Sequence, residues 1–445
     1  MKNKNKELIL IASLLTGAIL APVNSTMIAV GLSSISSFFQ ESLVSISWVV
    51  TIYLITMAVT QPIAGKMGDI WGNRTVYLWG VSLFFVSSIA CAFSFHLYWL
   101  IFFRSLQAIG GALITPNAAA ILRHAVSKDR LPKVFGLFGM GMGVGAAIGP
   151  LMGSTLISIW GWQSIFWVNI PFLLFTFAVS LFVLPQSQKS ARQSLDLPGS
   201  FYLAVSFTLF ILLTNPRPWW ESLLLGVFLL LFVYLFVQRE TKIRDPLIDF
   251  SLLKNRTFTG ANLSILVSNF IMYTTLLVMP LLLESDFRLS HQQIGWVMFV
   301  FSISMSISGW IGGQLTARFG SRMIVAWSFA ISILSSILFL GLKMIHSLPY
   351  LLIALTLGGI AGGIGQTAMQ TASLQSVPKE MAGTASGIYS TFRYFGSMIA
   401  STLVSLWVGS NLLFAMLLIM SAGGIWIARG IRKPEDILPA SSHSM

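Results

Sequence analysis

The sequence predicts an all-α integral membrane protein that crosses the bilayer many times, and three observations predict it. The 445-residue chain is 55% hydrophobic and only 9% charged, with a mean hydropathy of +0.81; an ordinary soluble domain carries roughly 25% charged residues. Apolar runs of about 20 residues recur along its whole length, each able to cross a ~30 Å hydrocarbon layer as a helix that satisfies its own backbone. Finally, the charged stretch Gly65-Lys66-Met67-Gly68-Asp69-Ile70-Trp71-Gly72-Asn73-Arg74 returns, altered, as Gly313-Gln314-Leu315-Thr316-Ala317-Arg318-Phe319-Gly320-Ser321-Arg322, at an offset of 248 residues.

In chain order the runs fall at about 8–30, 43–64, 75–94, 98–122, 133–156, 163–184 and 197–214, then at about 219–237, 258–282, 293–314, 323–342, 349–372, 383–407 and 411–428, fourteen in all. Lys2, Lys4 and Lys6 before the first run have the look of a signal peptide, but the run continues past Pro22 to Leu32 and reads as a retained span.

The net charge of +13 reports orientation rather than a nucleic-acid partner. With the N-terminus inside, cytoplasmic segments hold 22 of the 27 Lys and Arg residues, outer loops hold Arg217, Arg288 and Lys343, and Arg104 and Arg393 lie within spans. That asymmetry is the positive-inside rule and places both termini in the cytoplasm. Cys91, the single cysteine, allows no disulfide or thiolate metal cluster and reads as a packing residue.

The repeat extends beyond the loop. Lys128-Asp129 with Gly136 and Gly145 is matched by Lys379-Glu380 with Gly387 and Gly396 at an offset of 251, and Gly111-Ala112 by Gly362-Gly363. Spans 1–6 therefore correspond to spans 9–14. Asp196-Leu197-Pro198-Gly199 opens an inserted pair, the Asn215-Pro216-Arg217-Pro218 turn divides it, and Thr241–Arg256 links it to the second half. The division is residues 1–190, 191–240 and 241–430, with a tail at 431–445. A charged turn used twice between apolar spans is the pattern of a secondary transporter built from two related halves.

Within this frame several residues carry chemistry. Asp69 is placed to cap the helix that follows it and to pair with Arg74 or another loop cation, while Gly65 and Gly72 let helices and turn approach closely. Gly141, Gly145, Gly149 and Gly153 recur every four residues on one face of the fifth span, a groove for another helix, and Pro150 permits a kink there. Arg104 lies about one turn inside the fourth span, where a charge facing lipid costs at least ~2.5 kcal/mol, so it faces a protein or aqueous interior. No phosphate-binding glycine loop occurs, so nucleotide binding has no support.

Together these features resemble the 14-span drug/proton antiporter branch of the major facilitator superfamily, over nearly the whole chain. Gly65–Arg74 is similar to that superfamily's loop between its second and third helices, and Arg104 with Gln107 and Gly110-Gly111 to its fourth-helix motif. Gly145–Gly153 resembles the antiporter motif, and Arg393 with Gly396 the thirteenth-span pattern. The resemblance implies the major facilitator fold: two six-helix bundles plus two inserted helices, fourteen transmembrane helices in total. It implies a multidrug exporter of the bacterial plasma membrane, not an enzyme, working as a monomer on a lipophilic small molecule against protons, without cofactor or metal. It also implies that the first loop latches the cytoplasmic gate in the outward-facing state.

One departure limits the parallel. The family usually carries an aspartate two residues before a threonine in its first span; this chain has Asn24-Ser25-Thr26, and every acid in the sequence reads as peripheral. If transport is proton-coupled, the protonatable group is then at an entrance, Asp69 inside or Glu284 and Asp286 outside, or belongs to the substrate. The cavity reads as apolar and adaptable, with Asn24, Asn117, Gln366, Gln370, Tyr389 and Arg393 as candidate polar lining. The rival readings are a cation or metal-complex antiporter, which needs membrane-embedded acids, and a non-transporting sensor or scaffold, which needs an appended soluble domain.

Overall fold

The computed structural model describes residues 2–185, 194–213, 218–243, 245–289, 291–342, 344–345, 347–407 and 411–432. The Asn215-Pro216-Arg217 turn and most of the tail, 433–445, lie outside the described residues. Helices follow one another throughout: α1 (Lys2–Phe39), α2 (Leu43–Trp71), α3 (Asn73–Ala92), α4 (Leu97–Ala125), α5 (Leu131–Trp160), α6 (Ser164–Trp167), α7 (Asn169–Val183) and α8 (Leu197–Leu213). There follow α9 (Trp219–Glu240), α10 (Arg256–Ser285), α11 (His291–Phe319), α12 (Ser321–Gly341), α13 (Leu348–Gln375), α14 (Ala382–Trp407) and α15 (Asn411–Ala428). No strand occurs among the described residues.

Each predicted run lies on helix, with two differences of detail. The sixth is broken into α6 and α7, because Pro171, in the first turn of α7, has no N–H to carry an α-helical bond back into α6. The first is longer than expected, a single helix of 38 residues through Pro22. Among the described residues, 11 helices are long and apolar enough to cross a membrane. The apolar parts of α8 and α15, Leu197–Phe210 and Leu412–Ala428, are shorter, and α14 is diluted by Ser, Thr and Arg393.

The chain forms two compact units. The first comprises Met1–Ser127, Gly141–Phe250 and Pro378–Thr391, the second Lys128–Met140, Ser251–Val377 and Phe392–Met445. Neither coincides with a sequence half, since each carries a short piece of the other half.

In the first unit α3 packs closely on α4, where a Cβ on Gly110 would lie 2.6 Å from the Phe84 backbone nitrogen. The α8–α9 hairpin packs on α2 through α8, while α9 turns Leu223, Val227, Leu230 and Tyr234 outward. From Gly141 onward, where the first unit takes up α5, the helix presents its glycine face to α1. A Cβ on Gly145 would lie 2.7 Å from Ile19 Cγ2, and one on Gly153 3.0 Å from the Met27 carbonyl oxygen. At Gly149 it would overlap the Thr26 hydroxyl. The four-residue spacing therefore builds a groove for α1, and small residues are how helices close on one another where lipid competes equally for apolar side chains. Cys91 sits in the same core with Val23, Val49, Leu100 and Phe166.

In the second unit α13 is the central helix, packed on α10, α11 and α12, and α15 closes on α12 with Phe339 and Phe414 5.7 Å apart. The loop repeat is structural as well as sequential. Gly72 (φ 94°) and Gly320 (φ 81°) both take positive φ with extended ψ between two helices, a conformation essentially restricted to glycine that costs other residues on the order of 1–3 kcal/mol. Just beyond, Trp71 packs on Trp79 at 5.7 Å and Phe319 on Trp327 at 5.5 Å, again at the 248-residue offset.

Gly149→Leu is therefore expected to destabilise the purified protein by about 1–3 kcal/mol through overpacking against α1. Gly226→Leu on α9, where a Cβ meets nothing within 4 Å, serves as the control. Thermal unfolding in detergent checks the difference, and equal midpoints would remove the groove from the account.

Candidate functional site

The first copy of the loop motif does not cap the helix that follows it. Asp69, 7% exposed at the end of α2, reaches across to the start of α14. Its Oδ1 accepts the Gly383 N–H at 2.8 Å and its Oδ2 the Thr384 N–H at 2.6 Å. The opening turn of a helix has N–H groups without intrahelical acceptors and carries a partial positive charge, so a carboxylate there is both capping acceptor and countercharge. Cap and helix are 314 residues apart in sequence. This corrects the expectation of a local cap on α3. Arg74 instead donates to the Leu181 carbonyl at 2.6 Å and so ties α3 to α7.

The contact depends on glycines from both sides. A Cβ on Gly65 would lie 3.2 Å from Gly387 Cα and overlap the Gly383 carbonyl, and one on Gly387 would lie 2.9 Å from the Gln61 carbonyl oxygen. Two more groups attach the same end of α14 to α4: buried Arg123 faces the charge of Glu380, and the His124 side chain donates to the Lys379 carbonyl. Asn117 completes the junction from α4, donating to the Ala64 carbonyl at 3.0 Å.

The second unit repeats the crossing without the acid. A Cβ on Gly313 of α11 would lie 2.5 Å from the Pro132 carbonyl oxygen and 2.8 Å from Gly136 Cα, at the start of α5. Gly383 and Gly387 stand at the 251-residue offset from Pro132 and Gly136, so both motif copies grip the corresponding helix. Ala317 stands where Asp69 does. Only one of the two crossings is held by charge.

Arg104 forms a separate polar cluster inside the first unit. It is fully buried. Its Nη1 donates to Asn24 Oδ1 and to Gln107 Oε1, its Nε to the Val49 carbonyl at 3.3 Å, and its guanidinium lies 4.2 Å from the Tyr53 ring centroid. Gln107 passes the network on to Ser88 at 2.7 Å. Nη2 of Arg104 and Nδ2 of Asn24 are without hydrogen-bond partners, and none of the groups that touch the guanidinium is an acid. Asn24 and Asn117 thus each use one side-chain polar atom within the bundle and leave the other unpartnered, and neither has exposed surface.

The other candidates are scattered. Gln366 and Gln370 are half-buried on α13, Tyr389 is buried on α14, and the half-buried Arg393 stacks over the Tyr394 ring at 5.1 Å. Glu284 and Asp286 are exposed at the end of α10, where Ser285 donates to Asp286 at 2.7 Å. A small cavity of about 20 Å³ within the second unit is lined by residues that include Ser328, Ser332 and Ser335. The Ser328 and Ser335 hydroxyls donate to backbone carbonyls, which marks them as packing groups. Sequence reading found Asp69, Gly65 and Gly387 but not the meeting of α2 with the start of α14. A carboxylate names no partner, and the repeat pairs equivalent positions rather than touching ones.

Comparison with known proteins fits this geometry. A family model described as Major Facilitator Superfamily matches residues 14–243 and 261–443. An uncharacterized MFS-type transporter of Bacillus subtilis (strain 168), YvkA, is 52% identical over 434 residues, covering 97% of this chain and 98% of that protein. The multidrug transporter protein MdtP of the same organism is 26% identical over 407 residues, 90% of this chain and 75% of that one. The solved structure of the proton:xylose symporter XylE superposes with a TM-score of 0.68 at 14% identity, covering 98% and 97% of the two chains.

Two outcomes follow from these contacts. Asp69→Asn is expected to speed amide exchange at Gly383 and Thr384 by about tenfold, since hydrogen bonds to a charged acceptor contribute roughly 1.5–3 kcal/mol each; unchanged exchange would show that the cap is not what protects them. Asn24→Asp places a carboxylate on the buried guanidinium and is expected to stabilise the protein by about 1–3 kcal/mol in thermal unfolding. A lowered midpoint would show that the neutral partners already satisfy Arg104.

Proposed function

The chain belongs to the major facilitator superfamily, and on that premise we propose that it exports lipophilic or amphipathic small molecules by alternating access, in exchange for protons. Members of the family are membrane transporters rather than enzymes, and the all-helical fold and multiple spans agree with that. The finer reading is a 14-span drug antiporter with both termini in the cytoplasm, in a bacterial plasma membrane. Its two six-helix bundles are 1–190 and 241–430, its inserted pair is 191–240 and its tail 431–445.

The observation that carries this reading is the Asp69 cap on α14. In the charge-derived orientation it lies at the cytoplasmic ends of the helices. A carboxylate bound to free N–H groups of a distant helix is a contact that can form and break as a unit, which a gate requires. Protonation removes the negative charge that the helix terminus favours, so the same group can couple a proton to gate opening. Export rather than uptake is supported by the glycine groove of α5 against α1, the element that resembles the antiporter motif. Drug-like substrates are supported by the multidrug relative and by buried Phe and Met side chains such as Phe270, Phe301 and Met279. With no acid beside Arg104, tight recognition of dicationic drugs is disfavoured, as is a cation or metal-complex antiporter. Gln366, Gln370, Tyr389 and Arg393 are the side chains we propose for substrate contact, and Glu284 and Asp286 for the outer proton entrance.

Energised cells expressing the protein are expected to accumulate less ethidium or fluoroquinolone than control cells. A protonophore should abolish the difference, and Asp69→Asn should reduce efflux by about tenfold while membrane insertion is unchanged. Accumulation unaffected by expression across a broad panel of lipophilic compounds would refute the proposal.

A further inference from the structure

Two carboxylates meet at the end of the inserted α8–α9 hairpin, and the transport scheme above uses neither. Asp196, just before α8, is 3% exposed, and Glu240, the last residue of α9, is 4% exposed. Phe236 is the other buried residue of α9, a helix that otherwise stays largely open to its surroundings. A carboxylate removed from water needs hydrogen bonds and a countercharge, and an isolated one costs several kcal/mol.

The two acids are served unequally. Arg239 forks onto Asp196, its Nε at 2.8 Å from both carboxylate oxygens and its Nη2 at 2.7 Å from Oδ1. Asp196 thus has a cation to itself. Glu240 receives one hydrogen bond, from the Ile248 N–H to Oε2 at 2.8 Å, which fastens the end of α9 to the linker beyond it. Its Oε1 is buried, and among the described residues no donor reaches it.

Gly199 shows where that oxygen points. A Cβ on Gly199 would lie 2.3 Å from Asp196 Oδ2 and 2.6 Å from Glu240 Oε1. Both oxygens therefore crowd one small space beside the glycine and stand no further apart than the sum of those distances. Other charges around them do not fill the gap. Arg239 is committed to Asp196. Lys66, on the α2 helix against which α8 packs, acts on Glu240 by its charge but makes no hydrogen bond to Oε1. Asp245 of the linker accepts the Ser194 N–H at 3.4 Å, and no histidine is among these groups.

Two carboxylates sharing a site away from water do not both keep a negative charge, and one proton removes the conflict. A hydrogen on Glu240 Oε1 turns one of two facing acceptors into a donor aimed at Asp196 Oδ2. Oε2 stays free to accept from Ile248. Glu240 is the holder, because the guanidinium already lies on Asp196.

We propose that Glu240 and Asp196 share a single buried proton, carried on Glu240 Oε1, and that the end of the inserted hairpin is a proton-binding site distinct from Asp69. In the charge-derived orientation it lies on the cytoplasmic side. Losing the proton leaves two negative charges on one arginine, so the fastening of α9 to its linker responds to pH. The inserted pair is then more than a spacer between halves. This inference does not rest on the reading of Asp69 as a latch.

The test is the protection of the Ile248 amide against hydrogen exchange, corrected for the intrinsic pH dependence of exchange, on the purified full-length protein in detergent. An exposed glutamate ionises at pH ~4.3. A closed hairpin that keeps the proton above that pH is most stable in acid and loses stability as pH rises. Wild-type protection is therefore expected to fall by about tenfold between about pH 5.5 and about pH 8. Glu240→Gln puts an N–H donor where the proton sits, keeps an acceptor for Ile248 and cannot ionise. It should abolish the pH dependence and exceed wild-type protection by about tenfold at the alkaline end. Infrared difference spectra, wild type minus Glu240→Gln at neutral pH, should show the C=O stretch of a protonated carboxylic acid. Flat wild-type protection, Glu240→Gln protection below wild type at the alkaline end, or a difference spectrum with carboxylate bands alone overturns the proposal. Should Glu240→Gln not fold, the wild-type titration decides by itself. Asp69→Asn is expected to keep the pH dependence at Ile248; its loss there would assign the proton to Asp69 and reject the pair.

Discussion

A carboxylate at the end of one helix and the free N–H groups at the start of another form the contact on which the proposed gate depends. Asp69 and the first turn of α14 each have an unmet electrostatic need once buried. The acid lacks solvent, and the helix terminus lacks acceptors for its first amides. Joined, they satisfy each other with two short hydrogen bonds, and the macrodipole adds to the attraction. Neither side has an equally good alternative within the described contacts. The interaction is therefore strong when formed and leaves a defined deficit when broken. A switch needs that combination, whereas a hydrophobic seam would weaken gradually as it separated.

The reach of Asp69 is set by glycines. Gly65 and Gly387 allow α2 and α14 to cross at backbone distance; a methyl group at either position would meet main-chain atoms that cannot give way. The second crossing, Gly313 on the start of α5, has the same close approach but Ala317 in place of the acid. Shape is thus duplicated and charge is not. Separating α11 from α5 costs only packing, while separating α2 from α14 also strips a buried carboxylate of its donors. On the proposed reading the acidic crossing controls the energy of opening and the glycine crossing follows.

Hydropathy made the helices legible because each must satisfy its backbone alone in lipid, and the 248- and 251-residue offsets exposed the duplicated architecture. What stayed hidden is informative. The break at α6 followed from Pro171, a local signal overridden in the reading by uniform apolarity. The partner of Asp69 was invisible for a different reason: backbone N–H groups carry no residue-specific mark, so a cap supplied from 314 residues away has no sequence signature on the receiving side beyond two glycines and a threonine. Arg104 was the reverse case. Its burial followed from its charge, and the loss of an acid at position 24 was visible. That Asn24 is the side chain touching it required the fold.

The Arg104 cluster constrains coupling more than its lack of an acid suggests. A guanidinium keeps its proton under any physiological condition, so this cluster holds a fixed positive charge, satisfied in part by Asn24, Gln107, a carbonyl and an aromatic face. None of those partners exchanges a proton at neutral pH. Were the first span acidic at position 24, the pair could lose and regain its countercharge with each cycle; with asparagine the field is constant. A constant buried cation disfavours positively charged groups in its vicinity throughout the cycle, and it cannot report the proton gradient. On the proposed reading the proton must act where a carboxylate is still present, and in the first unit the one joined to a second helix's amides is Asp69. Gate and coupling group then coincide in a single side chain, so a proton that binds there also releases α14.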